Sequence, residues 1–479
     1  MRFAITTLGC KVNQYDGSAI AGALVAAGLT PADRDDRAEL VVVNTCCVTA
    51  AAMRKSRQAI RRAVRAAGEP VVLVAGCYSD YDGRRIAGLL ADLHVPAERT
   101  FIVGHHGDLP AVVAEAAEAA KGRRQDTTPA ISGSCGNAGS ACPATIKARR
   151  ADAARADPTD DLPAISRFPG HQRAFVKVQD GCDAFCTYCI VPFTRPRLKW
   201  RPIEAVAAEC RALVAAGHKE IVLAGVFLGA YGRDTAVRRN WRTEPAATLA
   251  ELLERIADLP DLWRVRLSSL APADVTDELL EVFRCSPTVA PHLHLPLQSG
   301  SDQILRRMNR QYTPEHFERT IDRIRSVLDR PAITTDIIVG FPGETEGDFD
   351  DTLALARRAG FARIHAFPFS PIEGTAAWNW RGERPGDNVV KQRLAKLAGL
   401  ETHLAETYRG KFVGERMEGL VESARPAADG RRQAMTDRYL TVFFAPPDGQ
   451  SPDELTGQVV TFDIDGVCAD GLVGRPASV

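Results

Sequence analysis

The chain is an alternation of two kinds of segment. Short β-rich runs, "FAITTL" (3–8), "ELVVVNT" (39–45), "PVVLVAG" (70–76) and "TFIVG" (100–104), are separated by stretches with helical spacing such as "AAMRKSRQAIRRAVRAAG" (51–68). Parallel strands need long crossovers, and a helix is the usual one. The pattern therefore predicts a doubly wound α/β domain with a parallel sheet over residues 1–118. Residues 119–167 lose all periodicity, and "SGSCGNAGSACPA" reads as a flexible linker with incidental Cys135 and Cys142. Alternation returns in "AFVKVQ" (174–179), "EIVLAG" (220–225), "WRVRLSS" (263–269), "HLHLPL" (292–297), "AITTDIIVG" (332–340) and "RIHAFPF" (363–369). Six βα units in one block, 168–401, predict a partial (β/α)6 barrel, because a complete one needs eight. A last helix runs to about 408. Leu440, Val442 and Phe444, then Val460, Phe462 and Ile464, alternate as strands, which predicts a small β-barrel over 402–474.

No apolar run approaches the roughly 20 residues of a membrane span, and "MRFAITTLGC" is no secretory signal. A cytoplasmic chain without a membrane partner is expected. Its 12 cysteines then sit among reducing thiols, where metal binding or redox chemistry outweighs disulfides. Lys+Arg and Asp+Glu are equal, 60 against 60. A nucleic-acid partner would have to be held by local basic patches rather than by net charge.

"GCDAFCTYCIVPF" (181–193) carries Cys182, Cys186 and Cys189 directly after the first strand of the predicted barrel. Barrel active sites lie on that C-terminal face, and thiolates select zinc or iron–sulfur clusters. A structural zinc closes with four ligands. Here no fourth Cys or His stands at pairing distance, and Cys210 lies inside an Ala-rich helix, where a small buried hydrophobe is the simpler reading. Three ligands without a fourth suit a four-iron cluster with one iron left open. A zinc completed by a distant residue is the alternative.

This Cys-x3-Cys-x2-Cys spacing, with Tyr188 before the third cysteine, resembles the radical S-adenosylmethionine (SAM) enzymes. The resemblance implies that the open iron holds the amino and carboxylate groups of SAM. One electron then cleaves SAM to a 5′-deoxyadenosyl radical, the protein supplying position and shielding.

Cys10, Cys46 and Cys77 each end their own predicted parallel strand. In such sheets these ends share one edge, where ligands bind, so three thiols distant in sequence are expected to converge and hold a second cluster. The pattern resembles the methylthiotransferases, a radical SAM family with two [4Fe–4S] clusters. "TLGCKVNQYD" (7–16), "NTCCVT" (44–49) and "AGCYSD" (75–80) match its N-terminal domain. "HLHLPLQSGSDQILRRMNRQYT" (292–313) and "TTDIIVGFPGETEGDF" (334–349) match its radical SAM domain, and the tail resembles its RNA-binding TRAM barrel. "GCKVN" and "FLGAYG" (227–232) resemble the MtaB branch, which modifies N6-threonylcarbamoyladenosine at tRNA position 37. That implies methylthiolation at C2 of this base in the anticodon stem-loop, with a reducing electron donor as a further partner. The branch acting on isopentenyladenosine, and a zinc-stabilised RNA-binding protein without catalysis, are the alternatives.

The resemblance assigns Cys10, Cys46 and Cys77 to the auxiliary cluster, and Cys182, Cys186 and Cys189 to the catalytic one. It places Tyr188, Gln298, Ser299, Gly340, Gly343 and Glu344 at SAM. Gln298 and Ser299 could equally cap the next helix, and the glycines could mark a plain tight turn. The sequence departs from the family where Cys47 replaces a usual Thr, Ala271 a usual Glu and Pro196 a usual Gly. The stripes Arg54, Arg57, Arg61, Arg65 and Arg306, Arg307, Arg310 read first as solvated helix faces.

Overall fold

A computed structural model describes residues 1–32, 38–122, 162, 164–422, 430–446 and 454–477. Most of the expected linker, with Cys135 and Cys142, lies outside these residues. The chain divides into two compact units. The first takes Met1–Pro163, Ile190–Arg197 and Ile372–Thr375. The second takes Ala164–Cys189, Leu198–Pro371 and Ala376–Val479.

The first unit contains β1 (Arg2–Thr7), α1 (Lys11–Ala26), β2 (Thr30–Pro31), β3 (Leu40–Thr45), α2 (Ala50–Ala67), β4 (Val71–Gly76), α3 (Cys77–Asp92), β5 (Thr100–Val103), α4 (Leu109–Gly122) and the short α5 (Val191–Thr194). Its sheet is parallel throughout, in the order β2-β1-β3-β4-β5. The β-branched runs of β3 and β4 are buried along their whole length, as strands covered on both faces must be. One face packs Ile60, Val64, Val74, Tyr78 and Ile86. The other packs Ile20, Leu24, Leu73, Val113 and Ala117. Helices therefore cover both faces, the doubly wound arrangement expected. The register pairs Thr7 with Asn44 and Thr45 with Gly76, which brings the C-terminal ends of β1, β3 and β4 level. Helix α4 runs to Gly122, past the boundary expected at 118.

The second unit begins with β6 (Arg173–Asp180), β7 (Lys199–Trp200), α6 (Ile203–Ala215), β8 (Glu220–Gly225), α7 (Leu249–Ala257), β9 (Arg264–Leu267), α8 (Asp277–Cys285), β10 (His292–His294), α9 (Asp302–Arg307), α10 (Pro314–Val327), β11 (Ala332–Val339), α11 (Glu346–Ala359), β12 (Arg363–Pro368) and α12 (Asp387–Gly410). The strand orders are β7-β6-β8-β9 and β10-β11-β12. Only β7 runs antiparallel, and the bridge between Ser269 and His294 links the two groups. The six parallel strands are the six expected. Helix starts are fixed locally: Thr248 and Thr345 each close a capping box, with Glu251 and Asp348.

The tail forms a closed barrel of β13 (Arg416–Val421), β14 (Arg432–Thr436), β15 (Thr441–Phe444), β16 (Val459–Cys468) and β17 (Gly471–Pro476), ordered β13-β14-β15-β17-β16. Val442, Phe444, Phe462 and Ile464 fill it, in one core with Ala332, Ala362, Tyr408 and Phe412. Arg266, fully buried, pairs with Glu220 at 3.0 Å and donates to the carbonyls of Thr436 and Asp437 at 3.1 and 2.9 Å. The boundary expected at 401/402 falls inside α12, so the barrel is welded to its neighbours rather than hung from them.

Candidate metal centres

Level strand ends bring Cys10, Cys46 and Cys77 together. Cys10 caps α1 and Cys77 opens α3. Cys46 is fixed by its backbone, which exchanges hydrogen bonds with Ser56 at 3.1 and 3.0 Å. Gly9 has φ +104°, and a Cβ there would stand 2.9 Å from Cys46 Cβ and 3.0 Å from its Sγ. A side chain at position 9 would fill the space beside that thiol. Burial pushes the Cys46 thiol up to about 12. Cys77 moves the other way and is held well below the usual thiol range. A hydrogen bond from Cys47 does most of this against burial, with the Arg195 charge and His105 adding to it. Arg195 Nε donates to Cys77 Sγ at 3.4 Å, and His105 Nε2 lies 3.7 Å from the same sulfur. Of the three thiols, Cys77 is the one whose surroundings favour the thiolate form that metals select.

Cys46 and Cys47 are both buried and lie just after the end of β3 at Thr45. Cys47 reaches Cys77 and the core around Ile60 and Val74.

Cys182, Cys186 and Cys189 lie on one loop after β6. Gly181 turns the chain with φ +78°, and Phe185 sits at φ +48°. Gln179 clamps the loop base, donating to the Asp180 and Gly181 carbonyls at 2.8 Å and accepting from Phe227 N at 2.8 Å. Asn309 holds the Ala184 and Phe185 carbonyls, both at 3.1 Å. Cys182 is buried, and burial raises its thiol. Arg310 Nη1 donates to Cys186 Sγ at 3.2 Å, and its Nε donates to the Tyr312 hydroxyl at 3.1 Å. The reading of Arg310 as a solvated helix face is therefore corrected: it follows the end of α9 and turns to the thiols. Arg54, Arg61 and Arg65 are exposed as expected, while Arg57 donates to Tyr78.

Tyr188 packs edge-on to Phe341 at 6.4 Å. Gln298 holds φ +65° between backbone bonds to Asp336 O and Ile338 N at 2.8 and 2.9 Å. Ser299 is buried and accepts from Ser301 N at 3.2 Å. Ser301, not Ser299 or Gln298, caps α9. Glu344 is buried, accepts from Gly340 N at 2.8 Å and pairs with Arg393 at 2.7 Å. Gly340 and Gly343 have φ +76° and +81°, and a Cβ at either would meet Val390 or Arg307. These residues shape the loop after β11 from within.

A recess beside Cys186 is lined by Phe227, Arg238, Ala271, Arg310 and Tyr312. Arg238 pairs with Asp274, and burial lowers its guanidinium to about 10. At the Ala271 departure the nearby carboxylate thus comes three residues later. Sequence reasoning missed Arg195, His105 and Arg238. Arg195 and Arg238 carried only the signal of an arginine in a loop following a strand's C-terminal end.

The family model described as the Radical SAM superfamily matches residues 176–356. The one described as Uncharacterized protein family UPF0004 matches residues 2–95. The chain is 34% identical over 465 residues to the threonylcarbamoyladenosine tRNA methylthiotransferase MtaB of Bacillus subtilis, covering 96% of this chain and 93% of that one. The chain belongs to the radical SAM methylthiotransferases. It is also 34% identical over 426 residues to the tRNA-2-methylthio-N(6)-dimethylallyladenosine synthase of Thermotoga petrophila, covering 88% and 86% of the two chains. The radical SAM methyltransferase TsrM of Kitasatospora setae shares the fold at 15% identity and a TM-score of 0.50, over 78% of this chain and 73% of that one.

Methylthiotransferases of this family are enzymes that work with two [4Fe–4S] clusters and SAM. The donor sets fit. Each triad is all thiol, and in each a buried or half-buried guanidinium donates to one sulfur. Among the described residues no three His, Cys, Asp or Glu side chains are drawn together as a single ion would draw them. Thiolates that bind different irons of one cluster stand farther apart than that. No helix among the described residues is long and apolar enough to cross a membrane.

Proposed function

We propose that this chain is a tRNA methylthiotransferase that replaces C2–H of N6-threonylcarbamoyladenosine with C–S–CH3, next to the anticodon. The observation that carries the reading is the pair of thiol triads, one in each compact unit, in a chain that aligns nearly end to end with MtaB. Cys182, Cys186 and Cys189 would hold the cluster that opens SAM, and Cys10, Cys46 and Cys77 the auxiliary one. When bound, these groups supply the electron that cleaves one SAM and the sulfur that accepts a methyl group from another.

The chain's own residues bind and orient. Gln179 and Asn309 hold the cysteine loop in one shape. Arg310 keeps a positive charge against Cys186 and is itself held by the Tyr312 hydroxyl. Gln298, with its backbone spent on the strand, keeps its side-chain amide for SAM. Ser299, Gly340, Gly343 and Glu344 act one step back, by fixing the loops at SAM. The tRNA anticodon stem-loop, a low-potential electron donor and a cytoplasmic setting complete the proposal.

Nucleoside mass spectrometry of tRNA from a deletion strain tests it. Loss of the 2-methylthio form of N6-threonylcarbamoyladenosine, with its unmodified precursor accumulating, is the expected result. The relative named for dimethylallyladenosine is equally similar at 34% identity, which favours a second reading. Loss of the 2-methylthio form of that base instead would establish it.

A further inference from the structure

The segment Ile190–Arg197 follows the radical SAM cysteines in sequence but belongs to the first compact unit. It delivers Arg195 to the auxiliary triad. The Arg195 side chain is 3% exposed and the Asp16 side chain 6%. Nε donates to Cys77 Sγ at 3.4 Å, and Nη2 donates to Asp16 Oδ2 at 2.6 Å and to Asn13 Oδ1 at 3.5 Å. Asn13 stands three residues from both Cys10 and Asp16 at the start of α1 and so neighbours each of them. Asn13 in turn donates to Thr45 O at 3.2 Å and accepts at its own carbonyl from Asn44 at 2.8 Å. The guanidinium is thus locked against a ligand sulfur from three directions, and its charge reaches all three thiols of the triad.

We propose that Arg195 is a positioning residue that sets the reduction potential at the Cys10–Cys46–Cys77 site, with Asp16 as its counterweight. The inference rests on those three cysteines being the auxiliary ligands. Uptake of one electron from an external low-potential reductant adds one negative charge at the triad, and no bond forms or breaks. A cation and an N–H donated to a ligand sulfur stabilise the more negative state and raise the potential. The Asp16 carboxylate, whose charge also reaches Cys10, lowers it.

Two substitutions break the same ion pair and predict opposite signs. Arg195→Gln removes the cation and is expected to shift the oxidised-to-reduced ratio at a fixed potential about tenfold towards oxidised, about 59 mV downward for one electron. Asp16→Asn removes the anion and is expected to shift the potential upward. Arg195→Lys keeps the charge and is expected to fall between Gln and the natural chain. The measurement is an EPR-monitored dithionite titration of full-length reconstituted protein carrying Cys182, Cys186 and Cys189 as Ala, so that only the auxiliary signal remains. Iron analysis of the same samples separates the two layers of the claim. If the parent retains no iron, the ligand assignment fails. If it retains about four irons and the Gln and Asn variants shift in the same direction, or neither shifts, Arg195 is a structural clamp and the inference fails. If Arg195→Gln does not load, the Lys and Asn variants decide by the same signs.

Discussion

The two thiol triads are built in opposite ways. Cys182, Cys186 and Cys189 occupy eight consecutive positions of one loop, whose shape is set by Gly181, Gln179 and Asn309. Cys10, Cys46 and Cys77 come from three strand ends, and their convergence is set by the register of β1, β3 and β4. A loop triad can form as soon as its loop is anchored. A sheet triad exists only when the whole first unit is folded. Yet both end with the same device, an arginine donating to one thiol of the triad: Arg310 to Cys186 at 3.2 Å and Arg195 to Cys77 at 3.4 Å. The second triad adds a thiol neighbour, because Cys47 donates to Cys77.

The largest break in this comparison comes from the loop. Replacing Cys182, Cys186 and Cys189 by Ala should abolish SAM cleavage, read as 5′-deoxyadenosine formed under dithionite, while about four of about eight irons remain. Next comes the choice between neighbours in the sheet triad. Cys46→Ala should lower iron content towards the single-cluster value, whereas Cys47→Thr should leave it intact. Because Cys47 touches Cys77, iron loss from Cys47→Thr with none from Cys46→Ala would move the ligand by one residue.

A smaller effect should follow from the arginine on the loop. Arg310→Gln removes the donor to Cys186 and should slow SAM cleavage roughly tenfold with iron retained, the lower range for groups that orient a ligand. An unchanged rate would leave Arg310 a packing residue. Smallest are the basic residues of the tail. Arg416 pairs with Asp463 at 2.8 Å, Arg432 is buried against Thr456, and Arg438 pairs with Asp437. Deleting the barrel would also strip Tyr408 and Phe412 from a shared core, so single substitutions are the cleaner probe. Each of Lys411→Ala and Arg431→Ala should flatten the log–log salt slope of tRNA binding by about 0.7–0.9 if that residue meets a phosphate. Unchanged slopes would place the contact elsewhere.

All ten expected strands before residue 370 are present, most of them announced by β-branched residues between helical segments. The barrel was legible in Leu440, Val442, Phe444 and Phe462, which do point inward. Its attachment was not. Arg264, Arg266 and Glu220 look like ordinary polar residues on strands, and only the fold reveals them as a buried knot that binds β14. The loop triad was visible as a motif, and the sheet triad as a repeated position. The residues that hold the sulfurs were not visible, because Arg195 and Arg310 act across 118 and 124 positions of sequence.

The central claim is that the sheet triad holds a cluster of its own. Replacing Cys10, Cys46 and Cys77 by Ala in the full chain, reconstituting with iron and sulfide, and measuring iron together with 5′-deoxyadenosine tests it directly. The account predicts about four irons out of about eight, with SAM cleavage continuing and no methylthiolated tRNA. A variant that retains all of its iron, or one that loses SAM cleavage while still folded, would contradict it.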